Sequence, residues 1–129
     1  MSTNKRLSER VLKCAQNVSH ELGAGFLEKV YEKALCIELA EAGIPFQCQQ
    51  PFVISYKGKD VGHYIADIVV DNQLLIELKA LSCVGKEHDA QVMNYLRASG
   101  LTVGLLLNFG VARLGIRRKV WNYDDKNNI

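Results

Sequence analysis

The sequence lacks the features that mark several common classes of protein. It has only two prolines in 129 residues, and 48% of its residues are hydrophobic, a composition that argues against a disordered chain. Charges interrupt every apolar run well short of the roughly 20 residues that span a bilayer. The first residues are charged and contain no apolar signal core, so we expect a cytoplasmic protein without a membrane partner.

The sequence also lacks a paired-cysteine motif. Its four cysteines are widely spaced: Cys14, Cys36, Cys48 and Cys83. A structural zinc site normally takes ligands in pairs two to four residues apart, so this spacing does not favour one. We expect reduced and mostly buried thiols.

The hydrophobic pattern predicts a single α/β domain over residues 1–129. Helices are predicted at residues 8–20, 26–42 and 85–100, and the second has an apolar stripe broad enough for a central helix. Strands are predicted at residues 52–56, 61–70, 73–81, 101–110 and 112–121, and the polar tail 122–129 is predicted to fray. The order is α-α-β-β-β-α-β-β. The strand–helix–strand connection predicts parallel pairing of the third and fourth strands, hence a mixed central sheet flanked by helices.

The segment ADIVVDNQLLIELKA, residues 66–80, predicts a hairpin with charges inside its apolar runs. A three-residue loop at 71–73 places Asp67 opposite Glu77, with Asn72 or Gln73 in the left-handed conformation. A two-residue loop would put these carboxylates on opposite faces. The first register is favoured because it leaves one apolar face, made of Ala66, Ile68, Val70, Leu74, Ile76 and Leu78.

Two carboxylates in facing positions are unfavourable unless something compensates their charge. At an effective dielectric near 20, charges about 4 Å apart repel by roughly 4 kcal/mol. A shared divalent cation or a shared proton would stabilise the pair. A plain salt bridge between Asp67 and Lys79 would also explain the pattern, and the residues alone leave both interpretations open.

Asp67 followed by Glu77-Leu78-Lys79 resembles the core motif of the PD-(D/E)xK nucleases, with Ala66 replacing the motif's proline. Gln91 and Tyr95, on the following predicted helix, are similar to the QxxxY helix of several branches of that superfamily. The segment GFLEKVY, residues 25–31, matches G-x-x-E-x-x-Y. Residues 21–110 resemble the small bacterial GxxExxY proteins of the same superfamily, except that Ile65 replaces their usual basic residue.

This resemblance implies a restriction-endonuclease-like core and a metal-dependent nuclease that acts on DNA or, as the less favoured alternative, on RNA. Glu28, Asp67, Glu77 and the backbone carbonyl of Leu78 would hold Mg²⁺ or Mn²⁺, because hard oxygen ligands suit these ions. Lys79 would position the attacking water and stabilise developing charge. Gln91 would orient Lys79 or the phosphate, and Tyr31 and Tyr95 would support the site.

A basic segment near the C-terminus offers possible phosphate contacts at Arg113, Arg117, Arg118 and Lys119, although a solvated edge strand explains the same charges. The sequence contains no dedicated DNA-reading motif, so a homodimer or a larger protein partner would help to grip the substrate. Two alternatives stay open: a nuclease-like module that binds nucleic acid or protein without catalysis, and a purely structural cation site.

Overall fold

The computed structural model describes residues 6–129, so residues 1–5 of the predicted domain lie outside it. The elements follow the predicted order: α1 Leu7–Leu22, α2 Glu28–Glu41, β1 Phe46–Tyr56, β2 Lys59–Val70, β3 Leu74–Lys79, α3 Lys86–Ser99, β4 Val103–Asn108, β5 Gly115–Val120 and a short 3-10 helix at Asp125–Asn127. Within the described residues, no helix is both long and apolar enough to cross a membrane.

The five strands form one mixed sheet in the order β1-β2-β3-β4-β5. β3 and β4 run parallel, as the crossover through α3 predicts, and the other neighbouring pairs are antiparallel. Every residue of β4 is buried, because helices cover both faces of the sheet at this strand. The predicted α/β class, with a mixed sheet flanked by helices, is confirmed.

The core has two parts, one on each face of the sheet. α1 and α2 pack on one face through residues such as Val11 and Leu35, and α3 packs on the other through Val92 and Leu96. Burying each such side chain contributes roughly 1.5–3 kcal/mol. A Cβ atom at Gly104 would lie 2.8 Å from Val92 Cγ1, so this glycine lets α3 approach the sheet closely.

β1 begins at Phe46, whereas the sequence predicted a strand from residue 52. The glutamines near its start and Pro51 conceal the strand in the sequence. Pro51 is tolerated because β1 is an edge strand, where a missing backbone donor breaks no ladder. Lys57 and Gly58 both have positive φ angles, 51° and 76°, so the β1–β2 hairpin closes with two residues in the manner of a type I′ turn.

The broad apolar stripe predicted for α2 is wrong. Leu27 is 79% exposed and Ile37 is 60% exposed, because the fully buried apolar side chains of the helix are confined to the line of Tyr31, Leu35 and Leu39. These three residues recur every four positions and therefore share one narrow side of the helix. α2 thus covers one flank of the core with most of its surface in solvent.

Two smaller expectations are also wrong. The tail predicted to fray returns to the core, where Ile129 is 5% exposed and its carbonyl accepts a 2.7 Å hydrogen bond from the Ser8 hydroxyl. All four cysteines are free, as expected, but Cys48 and Cys83 are exposed rather than buried.

Candidate active site

The β2–β3 ladder is regular near its turn and then stops. Its pairs are Val70–Leu74, Val69–Leu75 and Ile68–Ile76, which is the register predicted for a three-residue loop. Positive φ angles fall on Asp71 and Asn72, so Asn72 is the predicted left-handed residue and Asp71 is a second one that was not predicted. Asp67 and Glu77, two of the predicted catalytic residues, lie directly beyond the last pair.

Carboxylates take over the hydrogen bonding where the ladder ends. The Asp67 backbone N–H donates to Glu77 Oε2 over 3.1 Å, and the Leu78 backbone N–H donates to Asp67 Oδ2 over 2.8 Å. The two acids therefore lie side by side between the strands, as the register predicts. The charged side chains of Asp67 and Glu77 do not interrupt the β2–β3 ladder, because they lie where the two strands separate.

The predicted apolar face holds for five of its six residues. Ala66 instead packs in the cluster on the α3 side, with Tyr64 and Leu75. On β1, the residue across from Asp67 is Gln49, which has a φ of 54° and lies between the pairs Cys48–Ile68 and Gln50–Ala66. This irregularity interrupts the alternation of side chains, as a bulge does. Ala66 and Ile68, on either side of Asp67, therefore face opposite sides of the sheet.

The acids disfavour one another's charge. Burial raises the pKa of Glu77 to about 8, and the neighbouring charge of Asp67 adds to this. Burial also raises the pKa of Asp67, although the Leu78 N–H opposes the effect. The pKa of Glu28 is raised by partial burial and then by the charge of Asp67. These three carboxylates therefore share one electrostatic environment.

Lys79 supplies positive charge to this environment without forming a salt bridge. It lowers the pKa of Glu28, Asp67 and Glu77. Among residues 6–129, however, its ammonium lies within 4.0 Å of no carboxylate. The alternative of an Asp67–Lys79 salt bridge is therefore wrong, and the lysine is available to a ligand.

The spacing of the G-x-x-E-x-x-Y segment has a structural explanation. The buried Tyr31 hydroxyl donates to Gly23 O over 2.6 Å and accepts from the Phe26 N–H over 3.1 Å. It thereby fastens the loop before α2, in which Gly25 has a φ of 115° that favours glycine. Glu28 is the first residue of that helix, so Tyr31 fixes the loop directly before it.

Glu28 itself is exposed, contrary to the expectation that it lies in a mostly buried stripe. The buried acid on α2 is Glu32, which is 6% exposed and was missed by sequence reasoning. Gln49 Nε2 donates to its two oxygens over 2.9 and 3.0 Å, and Lys29 Nζ lies 3.3 Å from both. Among the neighbouring charges, that of Glu32 raises the pKa of Asp67 most. The sequence offered one indication of its burial, since Glu32 directly follows Tyr31 of the G-x-x-E-x-x-Y segment.

Gln91 and Tyr95 contact each other rather than Lys79. Gln91 Nε2 donates to the Tyr95 hydroxyl over 2.9 Å. The Tyr95 ring stacks on Tyr64, with centroids 3.9 Å apart, and the Tyr64 hydroxyl donates to the Tyr95 carbonyl over 2.9 Å. The charge of Glu77, after burial, raises the pKa of Tyr95, so this side of α3 lies near the acids.

The end of β3 is held by a residue that the sequence did not single out. Asn108 is 5% exposed and lies opposite Lys79 in the parallel ladder. Its side chain accepts from the N–H groups of Leu81 and Gly110 over 2.9 and 3.0 Å and donates to the Leu81 carbonyl over 2.9 Å. The Phe109 N–H donates to the Lys79 carbonyl over 2.8 Å. These bonds fix the chain directly after the lysine.

The predicted phosphate contacts do not form one surface. Arg117 and Lys119 both contact Asp89, at 2.6 and 3.4 Å. Arg118 is separated from them by the alternation along β5 and donates to Ser8 Oγ and to the C-terminal carbonyl of Ile129. Arg113 is exposed in the loop before β5. A continuous phosphate-binding strip is therefore not present among the described residues, and Arg117 and Lys119 stay candidates as a pair.

Within residues 6–129, no group of three or more His, Cys, Asp and Glu side chains is arranged closely enough to hold a metal ion. The predicted set of Glu28, Asp67 and Glu77 is therefore a pair of adjacent acids with a third on a nearby helix. Mg²⁺ is commonly held by one or two carboxylates together with waters and substrate phosphates. The donor chemistry fits such an ion, and a metal role for the Leu78 carbonyl stays a prediction.

Comparisons with known proteins identify a family and a shared fold. The sequence model described as the PD-(D/E)XK nuclease superfamily matches residues 5–119. The solved structure of SSO0001 is similar, with a TM-score of 0.60 and 17% identity over 77% of this chain and 52% of that one. The chain thus spans about half of that protein, and the similarity shows a shared fold. Consistent with this, the sheet and helices fit a restriction-endonuclease-like core.

An alkaline exonuclease, LHK-Exo from Laribacter hongkongensis, is a more distant structural match. It has a TM-score of 0.43 and 13% identity, over 98% of this chain and 74% of that one. Among curated proteins none matches the sequence significantly.

Proposed function

Because the chain belongs to the PD-(D/E)XK nuclease superfamily, we propose that it is a metal-dependent nuclease that hydrolyses phosphodiester bonds of DNA, of the GxxExxY type. One observation supports this most. Asp67 and Glu77 lie side by side where β2 and β3 separate, and Lys79 follows two residues later on the same strand, without an acidic partner among residues 6–129. Two acids and such a lysine at one opening suit phosphodiester chemistry better than a structural salt bridge.

Asp67 and Glu77 would hold Mg²⁺ or Mn²⁺, with Glu28 joining from the first turn of α2 and the Leu78 carbonyl as a further oxygen. A divalent cation bound there would polarise a phosphoryl oxygen and lower the pKa of water. Burial raises the pKa of all three acids, and a neighbouring carboxylate raises each further: Asp67 acts on Glu28 and Glu77, and Glu32 acts on Asp67. A bound cation would offset both effects. Glu32 itself is buried and accepts hydrogen bonds from Gln49.

Lys79 would direct its ammonium at the scissile phosphate and stabilise the negative charge that develops on it. Asn108 and Phe109 hold the backbone after the lysine, which limits how far its Cα can move. Gln91 would use its second N–H to hold a phosphate oxygen, since its first is donated to Tyr95.

The proposal is tested by cleavage of linear duplex, nicked and single-stranded DNA, and of RNA, with Mg²⁺ or Mn²⁺. The parent protein is compared with Glu77→Ala and Lys79→Ala. Two exposed residues of the same charges, Glu41 and Lys59, provide matched controls as Glu41→Ala and Lys59→Ala. We expect cleavage by the parent and both controls only. Cleavage that persists in Glu77→Ala and Lys79→Ala would assign the activity to another site or to a contaminant.

A second candidate function is a nuclease-like module that binds nucleic acid or protein without cleaving it. The absence of a closed three-acid set among the described residues favours this alternative. Calorimetry decides between them, because a module of this kind needs no divalent ion. DNA binding that is equal in Mg²⁺ and in EDTA, with no cleavage in either, would establish the module.

A second copy of the chain or a larger protein would contribute to substrate binding. The β1–β2 hairpin exposes several apolar side chains, namely Val53, Tyr56, Val61 and Ile65. Large exposed apolar side chains close together are typical of interaction surfaces. Sedimentation of the parent and of Val61→Asp, with and without DNA, tests this part of the proposal.

A further inference from the structure

A cavity of about 360 Å³ lies on the α3 side of the sheet, between β4, β5 and the loop that follows β3. Its floor includes Leu106 and Asn108, and its walls include Ser82, Val84 and Ile116. This volume is within the range of small-molecule sites. We call it the β4–β5 cavity.

The cavity adjoins the candidate active site through the strand register. Leu106 and Asn108 are the ladder partners of Glu77 and Lys79 in the parallel β3–β4 pair. Ladder partners share a face of the sheet, and neighbouring strands lie about 4.8 Å apart. The cavity floor is therefore one strand away from the acid and the lysine, on the same face.

The lining is aliphatic, with a cation at the edge. Val84, Leu106 and Val111 contribute apolar surface. Arg117, whose side chain is 44% exposed, donates to Asp89 and to the Val84 carbonyl, which leaves further guanidinium N–H groups for a ligand. Arg117 and Lys119 share a single carboxylate, so the edge keeps a net positive charge.

Most of the polar groups of the floor are already used. The Asn108 amide makes three of its four possible hydrogen bonds with the backbone of Leu81 and Gly110, so its main effect is to shape the cavity. Ser82 is exposed and can donate or accept one hydrogen bond. An aliphatic slot with one hydroxyl and a cationic edge fits a flat, apolar-faced group that is linked to a phosphate.

We propose that the β4–β5 cavity is the subsite for the unpaired nucleobase next to the phosphodiester held at Asp67, Glu77 and Lys79. This inference rests on the proposed function and narrows its substrate class to DNA with a single-stranded end. A base within a duplex has both faces covered by its neighbours, and only an unstacked base can enter such a slot. Arg117 faces the phosphate on the outer side of that base.

Cys83 provides a direct probe, since it is exposed and lines the cavity. Its alkylation by N-ethylmaleimide is followed by peptide mass spectrometry, in EDTA, with 5′-phosphorylated tetrathymidylate or the same strand carrying abasic sugars. Cys48, exposed on the opposite edge strand, reports any general effect on the reagent. At roughly ten times the Kd, we expect Cys83 to react about tenfold more slowly with the thymidylate strand.

We expect no comparable protection with the abasic strand and no change at Cys48. Equal alkylation of Cys83 with and without the thymidylate strand would overturn the subsite. Protection by both strands would also overturn it, because the backbone rather than the base would then cover the cysteine.

A variant that fills the cavity gives an independent test. Ser82→Trp is expected to weaken binding of a duplex with a single-stranded tail roughly tenfold or more, because the base loses its place. Gln16→Trp, at an exposed position of α1 on the other face of the sheet, is the matched control and should bind like the parent. Equal affinity of Ser82→Trp and the parent would contradict the proposal.

The two proposals fail in different ways. Cleavage of DNA without protection of Cys83 would leave the nuclease and remove the subsite. Protection of Cys83 without any cleavage would support the subsite and remove the catalytic function.

Discussion

The two ends of the β2–β3 hairpin use the same strands for opposite purposes. Near the turn, Ile68 and Ile76 form the last pair of a regular ladder, and both are fully buried. Directly beyond this pair, the backbone N–H groups of Asp67 and Leu78 donate to carboxylates instead. A sheet can therefore present charge at its centre without losing hydrogen bonds, provided that its strands separate and the acids take the vacated positions.

The end of the hairpin where β2 and β3 separate, which holds Asp67, Glu77 and Lys79, is called the open end. The largest expected effect of a substitution is at this end. Lys79→Ala should reduce the cleavage rate by roughly a thousandfold, which corresponds to about 4 kcal/mol of transition-state stabilisation. Its stability should change little, because the ammonium forms no ion pair with residues 6–129. Single-turnover cleavage and thermal unfolding, measured on the same preparation, check both parts. A loss of folding in parallel with activity would mean that the lysine has a structural role.

A substitution in the paired part of the hairpin near its turn should instead reduce stability and leave the cleavage rate almost unchanged. Ile76→Ala removes a fully buried side chain and should lower the free energy of unfolding by about 2–5 kcal/mol. Cleavage per folded molecule should stay close to that of the parent, since the acids keep their own hydrogen bonds. Denaturant titration and active-site-normalised rates measure the two quantities. A catalytic defect larger than the folding defect would show that the two ends are not separable.

The pH dependence of stability sharpens the comparison without any substrate. In metal-free protein the pKa of Glu77 is raised to about 8, so the folded state holds its proton after the unfolded chain has released it near pH 4.5. The parent should therefore lose stability relative to Glu77→Gln as pH rises from 4.5 to 8. We expect a difference on the order of 2 kcal/mol, since one pKa unit is about 1.4 kcal/mol and relaxation reduces the full effect.

Below pH 4.5 Glu77 is protonated in both states, so the parent and the variant should become similar. Urea titrations at a series of pH values in EDTA measure this difference. A constant difference across the range would mean that the environment of Glu77 does not disfavour its charge.

The smallest effect is expected at Asn108, which acts on the open end from the neighbouring strand. Asn108→Asp removes the donor to the Leu81 carbonyl and should lower kcat about tenfold with little change in KM, because Lys79 is less well positioned. Asn108→Ser, which keeps a donor, should recover part of the loss. A change in KM alone would assign Asn108 to substrate binding.

The order of elements, the parallel pair and the hairpin register were predictable because they follow from alternation and from the length of connections. Glu77 and Lys79 could be placed on one side of β3 for the same reason. The packing of Ala66 could not, since it depends on the left-handed conformation of Gln49 in another strand. Neither could the burial of Glu32, because its partner Gln49 is 17 residues away.

The motif residues were found by resemblance, and their structural partners were not. Tyr31 was expected near the site, and nothing in the sequence indicated that its hydroxyl bonds to the loop before α2. The exposure of Leu27 and Ile37 likewise depends on how few elements cover α2. Periodicity reports which side chains are apolar, whereas burial depends on what packs against them.

The most direct test of the open end is calorimetric titration of the apo-protein with Mn²⁺. Asp67→Asn keeps the shape of the side chain and an acceptor for the Leu78 N–H while removing one charge from the pair. Glu41→Gln removes an equivalent charge from an exposed position of α2. We predict that the parent and Glu41→Gln bind Mn²⁺ with similar affinity and that Asp67→Asn binds far more weakly. Equal binding by all three proteins, or no binding by the parent, would contradict a cation site between β2 and β3.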